Sequence, residues 1–124
     1  MRIATPRDAA PLLAPFFAGA EEERVLVLHL SEDRSLIAVT IEQTGERDEV
    51  ALSIRSIAMK ALRLDADGVL VAHNHPSGDP EPSPADKDST RRLAEALKAL
   101  DIRLLDHVVF AGGECRSMAA MGLL

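Results

Sequence analysis

Residues 69–86, VLVAHNHPSGDPEPSPAD, decide how the chain folds. Val69 to His73 is a short apolar run of strand length, entered from a turn over residues 65–68. Four prolines (Pro76, Pro80, Pro82 and Pro84) and Gly78 then interrupt regular structure, so residues 74–84 read as a long loop. Ser83-Pro84-Ala85-Asp86 opens a helix: Ser at the N-cap, Pro at the first helical position and Asp at the third make a near capping box. A stripe at Thr90, Leu93, Leu97 and Leu100 carries that helix over residues 84–100. Residues 103–110 (RLLDHVVF) follow as a strong strand. A strand, a helix and a second strand in close succession make the unit of an α/β sheet.

Upstream, residues 24–30 (RVLVLHL) are apolar on both faces, as in a strand covered on each side. A polar turn at 31–35 leads into residues 36–41 (LIAVTI), the returning strand of a hairpin. The charged stretch 43–49 with Gly45 reads as a loop or weak strand, and residues 42–49 suit a mobile flap or a partner-facing strand. Ile54, Ile57, Ala58, Ala61 and Leu62 keep helical spacing and predict an amphipathic helix over 53–64. Past Gly112-Gly113 a weak strand is expected at 115–119. The order β-β-α-β-α-β-β predicts a single α/β domain, one mixed sheet flanked by helices.

The N-terminus has two readings. Arg2 and Arg7, the apolar residues 9–17 and Ala18-Gly19-Ala20 loosely follow a signal peptide. Asp8 in the charged region and Pro11 and Pro15 in the apolar one depart from it. The stretch reads better as a short helix that packs Leu12, Leu13, Phe16 and Phe17 on the domain. Residues 1–22 are then an N-terminal extension and 23–124 the domain proper. No apolar run approaches the ~20 residues that a membrane span needs, and a cytoplasmic protein is expected.

Composition narrows the partners. The 124 residues hold 14 Lys+Arg against 20 Asp+Glu, a net charge of −6, and the basic residues are scattered. Neutralising phosphates needs clustered cations, and gripping single strands needs aromatic platforms. With no Trp, no Tyr and three Phe, nucleic acid is a poor partner. The single Cys115 excludes a disulfide scaffold. Glu114 beside it raises rather than lowers a thiol pKa, so it is no evident nucleophile.

The chemistry lies in the opening stretch. His73 and His75, two residues apart at a strand end, project to one side with Cα atoms roughly 6–7 Å apart. Both rings can reach one cation at zinc–nitrogen distances of about 2.0–2.1 Å, with Asp86 arriving from the first turn of the helix. Three protein ligands and an open position make a catalytic zinc site, and one Cys is too few for the usual closed structural site. The same residues also admit plainer roles: histidine pairs occur in cores, and Ser83 with Asp86 is a sufficient helix cap.

The spacing His73-x-His75-Pro76, then Ser83-x-x-Asp86, resembles the JAB/MPN metalloprotease group and its JAMM motif. The string HNHPSGDPEPSPAD is similar to its bacterial RadC-type branch, and the likeness continues through Thr90-Arg91-Arg92-Leu93 and residues 101–107, spanning 23–124. That resemblance implies a cytidine-deaminase-like architecture and a zinc ion on His73, His75 and Asp86. It also implies an early Glu as general base. Glu23, 50 residues ahead of His73, has the expected position and strand parity, with Glu22 as the alternative. By the same resemblance Ser83 donates a hydrogen bond to the oxyanion.

The implied activity is hydrolysis of a peptide or isopeptide bond, with a ubiquitin-like or sulfur-carrier tail among the candidate substrates. Neutral zinc-binding histidines need acceptors behind them. Asp106 is the candidate acceptor, while His107 and His29 are expected in the core or behind the ligands. Asp79 lies in the loop as another possible ligand, but at a spacing that disagrees with the family pattern. Two other functions compete: a DNA-repair accessory role, which the acidic charge opposes, and a catalytically silent MPN-type scaffold, which would be expected to have lost motif residues.

Overall fold

The computed structural model describes residues 1–42 and 52–124. In chain order the elements are α1 (Pro6–Phe17), β1 (Val25–Leu30), β2 (Leu36–Ile41), α2 (Ile54–Arg63), β3 (Gly68–Asn74), α3 (Pro84–Lys98), β4 (Arg103–Ala111) and β5 (Glu114–Ser117). The strands form one five-stranded sheet in the order β2-β1-β3-β4-β5. β3 and β4 run parallel, joined through α3, and the other pairs are antiparallel. This is the mixed α/β sheet that the sequence predicts.

The apolar runs explain the middle of the sheet. Every residue of β1 and of β3 is buried, because both strands are covered on both faces. Alternation splits their side chains between two cores. Leu26, Leu28, Leu70, Ala72 and Val108 pack under α1, while Val25, Val27, Val69 and Val71 pack against α2 and α3 through Ile57, Ala61, Leu93 and Leu97. His73 falls on the α2/α3 side by the same alternation.

Helix α1 forms despite Pro11 and Pro15, each lacking the N–H that would bond four residues back. Thr5 and Asp8 cap its start, and Ala9, Leu13 and Phe17 are buried beneath it. The phenyl ring of Phe17 meets that of Phe110 on β4 at a centroid distance of 5.0 Å. Phe17→Ala is expected to cost about 3–5 kcal/mol, since it removes a large buried ring and leaves a cavity. Urea unfolding measures it.

Several sequence expectations are corrected. Phe16 is 37% exposed and turns away from the core, so the helix packs on Leu13 and Phe17 with Leu12 partly buried. Leu62 and Leu100 are exposed, Leu100 lying beyond the end of α3. The last strand covers only Glu114–Ser117. The expected loop at 43–49, most of the proposed flap, lies outside the described residues.

Candidate metal centre

The site sits where β3 ends and α3 begins, the end of a parallel strand pair at which α/β sheets commonly bind ligands. His73 is the penultimate residue of β3, and His75 follows the strand, its N–H donating to the Phe110 carbonyl at 2.9 Å. Gly112 has φ +57°, and a Cβ there would lie 2.9 Å from the Gly78 carbonyl oxygen. The histidine loop therefore rests directly on the β4–β5 turn.

Asp86 is fixed by the start of α3. Its N–H donates to Ser83 Oγ at 3.0 Å, and its Oδ2 accepts from the Ser83 N–H at 2.8 Å. Both halves of the capping box are present. The same Oδ2 faces the histidines, 3.1 Å from His75 Nε2 and 3.5 Å from His73 Nε2.

Glu23 completes the group. Val25 pairs with His73 across β1 and β3, so Glu23, two residues earlier, extends the strand on the same face. It is fully buried, with Oε1 3.5 Å from His73 Nε2. Glu22 is exposed. Asn74, which sequence reasoning treated as loop, holds the backbone on both sides of Glu23: its Oδ1 accepts from the Arg24 N–H at 2.6 Å and its Nδ2 donates to the Glu22 carbonyl at 3.1 Å. Its place between two histidines was the only signal.

Ligand atoms of Glu23, His73, His75 and Asp86 all lie within 4.8 Å of one another, all four residues are buried, and together they can hold a metal ion. Ligands about 2.0–2.2 Å from a tetrahedral ion stand about 3.3 Å apart. The separation of His73 Nε2 from His75 Nε2 is 2.9 Å, and those to Asp86 Oδ2 are 3.1 and 3.5 Å. The spacing and the mixed N/O donor set fit a divalent cation.

Ring partners reinforce the fit. His75 Nδ1 faces the Asp79 carbonyl at 2.8 Å, and since a carbonyl only accepts, the proton sits on Nδ1. Asp79 is thus no ligand, but its backbone oxygen orients one. His73 Nδ1 meets His107 Nε2 at 2.6 Å. Asp106 does not take the role expected of it. Its carboxylate accepts from the His107 N–H at 2.7 Å, the Ala119 N–H at 3.0 Å and the Ser117 hydroxyl, tying β4 to the C-terminal turn. His29 lies elsewhere, its Nε2 2.8 Å from Thr40 Oγ1.

Without a cation the cluster is strongly polarised. Burial opposes the charge on His75, but the hydrogen bonds to Asp86 and the Asp79 carbonyl, with the charges of Asp86 and Glu23, raise its pKa to about 9. Burial also opposes the charge on Asp86, yet its bonds to His73, His75 and the Ser83 N–H hold it well below the usual carboxylate range. Burial, reinforced by the neighbouring His73, lowers the His107 pKa and keeps that ring neutral.

The model of the RadC-like JAB domain matches residues 3–123, α1 included. The chain belongs to that family. The UPF0758 protein YfjY of Escherichia coli is 41% identical over 107 residues, covering 86% of this chain and 67% of that protein. A UPF0758 protein of Vibrio cholerae is 45% identical over a stretch covering 86% of this chain and 67% of that protein. Another, from Chromobacterium violaceum, is 38% identical over 122 residues, 98% of this chain and 54% of that protein. This RadC-like JAB domain therefore spans about two thirds of its shorter relatives and about half of the longer one. Among the described residues no helix is long and apolar enough to cross a membrane.

Proposed function

We propose that this chain is a zinc-dependent hydrolase of peptide or isopeptide bonds acting in the cytoplasm. The observation that carries the reading is the convergence of the buried His73 Nε2, His75 Nε2 and Asp86 Oδ2 at 2.9–3.5 Å from one another. His73, His75 and Asp86 would hold the ion. When bound there, zinc would supply the Lewis acidity that activates water near neutral pH. Glu23 would take on its carboxylate the proton released as water attacks and return it to the leaving amine. Asn74 keeps Glu23 in place through the backbone on either side of it.

Ser83 donates to the oxyanion in this scheme. Its Oγ already accepts from the Asp86 N–H, so the hydroxyl proton is left to donate outward. His75 also lines a cleft of about 660 Å³ between α1 and the β4–β5 turn, bordered by Pro11, Ala14, Phe17 and Phe110. Small and apolar walls of this kind suit an extended peptide, such as the tail of a ubiquitin-like or sulfur-carrier protein.

Metal analysis after dialysis against excess zinc tests the first step: about one zinc per chain is expected. The double variant His73→Ala/His75→Ala should hold none. An unaltered chain that takes up no zinc at neutral pH removes the hydrolase reading. Cleavage of model isopeptides that stops on chelation supports the second step.

A further inference from the structure

Behind His73, buried polar groups run away from the metal centre and return to it. His73 Nδ1 meets His107 Nε2 at 2.6 Å, and His107 Nδ1 meets Thr90 Oγ1 at 2.6 Å. Thr90 Oγ1 in turn lies 2.7 Å from the backbone carbonyl oxygen of Asp86, one helical turn back along α3. All of these residues are buried. The Met118 sulfur, 3.8 Å from the hydroxyl, is a further and weak acceptor beside it.

We propose that Thr90 and His107 are positioning residues of the metal centre, forming a directional hydrogen-bond relay that leaves Nε2 of His73 bare to meet a cation. The proposal rests on the metal-binding reading above and adds a part to it.

Counting protons gives the direction. A neutral imidazole carries one N–H, a hydroxyl carries one O–H, and a carbonyl carries none. The Asp86 carbonyl can only accept, so it takes the Thr90 proton. Thr90 Oγ1 then accepts, which places the His107 proton on Nδ1 and leaves its Nε2 bare. That bare nitrogen accepts from His73 Nδ1–H. The single proton of His73 is thereby held away from the cluster, and its Nε2 lone pair faces Asp86 and Glu23. Reversing the chain puts an N–H of His73 where the cation must sit. The Asp86 carbonyl gives the hydroxyl proton a destination other than His107, and so permits the productive direction. Asp86 thus serves twice, through its carboxylate at the centre and through its backbone at the end of the relay.

Thr90→Val keeps the shape and removes the hydroxyl. The His107 Nδ1–H then has no oxygen to receive it, and a buried N–H without an acceptor is costly. The ring instead carries its proton on Nε2, donates to His73 Nδ1 and pushes the His73 proton onto the nitrogen that the cation needs. Zinc affinity, measured by chelator competition, is expected to fall about 10–100-fold in Thr90→Val, the usual cost of disturbing the partners behind a metal-binding histidine, and to return to within about threefold in Thr90→Ser.

A packing role alone would not move protons between ring nitrogens, so ¹⁵N spectra of the histidine rings in the zinc-loaded, unaltered chain provide the second readout. They should place the His107 proton on Nδ1. Unchanged zinc affinity in Thr90→Val overturns the relay, and so does a His107 proton on Nε2. Should Thr90→Val fail to fold, the ring spectra decide without it. An unaltered chain that binds no zinc is a different result, because it removes the metal reading itself.

Discussion

Glu23→Gln is expected to cut hydrolysis by about 10²–10⁴-fold while zinc stays bound by His73, His75 and Asp86 and the fold is kept, because glutamine keeps the shape of the side chain but has neither its charge nor its capacity to carry a proton. The carboxylate is buried, on the strand face that carries Val25 and Val27, with Oε1 3.5 Å from His73 Nε2. Its position is set by the backbone, which Asn74 holds at Arg24 and Glu22. Glutamine keeps the length and shape of the side chain and stays within reach of the same groups. It cannot accept the proton of a nucleophilic water at neutral pH. Turnover per zinc-loaded site on a model isopeptide is the measurement, with zinc content and the circular dichroism melt as controls. Glu22→Gln, at an exposed position, should leave turnover unchanged. Full turnover in Glu23→Gln would sink the general-base role.

The fold was legible where burial on both faces leaves a continuous apolar run. Residues 25–30 and 69–73 had no other use than central strands, and Ser83-Pro84-Ala85-Asp86 announced the start of α3. Of the four residues that gather at the centre, three were legible for a related reason. They are polar side chains at element ends where the chain itself fixes their direction: two strand-end histidines of equal parity and an acid at the third helical position. Glu23 was singled out among three adjacent acids only by the likeness to the RadC-type pattern.

His107 was expected in the core or behind the ligands and lies there, but which group meets each histidine was not legible, because that depends on which face of a strand looks at the site. Asp106 and His107 are neighbours on β4, so they point to opposite faces. Asp106 faces the α1 side with Val108, and His107 faces His73. An acid looked the better acceptor by chemistry, and strand parity chose the imidazole. At Asp79 the difficulty was of another kind: its backbone carbonyl, which every residue has, orients His75. Phe16 and Phe17 differ by about 100° around α1, and a helix interrupted by two prolines gave no reliable stripe to choose between them.

Asp86→Asn and Asp86→Ala should both abolish the zinc-dependent gain in stability, while parting company without metal. Asn retains an oxygen that can accept from the Ser83 N–H, so most of the cap survives; Ala removes it. Loss of this kind of cap costs about 0.5–2 kcal/mol. Both substitutions also remove the charge that faces His73 and His75, and a carboxylate held below its usual range by such bonds contributes stability at neutral pH that the variants lose. The metal-free melts of both variants should therefore lie below that of the unaltered chain, with Ala below Asn.

Zinc widens the gap. At a free zinc concentration a thousandfold above Kd, selective binding to the folded state is worth about 4.1 kcal/mol. For a domain of this size that is a rise in Tm of roughly 10–20 °C. Both variants forfeit the rise, because neither supplies the anionic oxygen that completes the set with His73 and His75. Melts with and without zinc, run on all three proteins, read the two contributions of Asp86 independently. A full zinc-dependent rise in Asp86→Asn would show that its charge is dispensable and that the cluster holds its cation some other way.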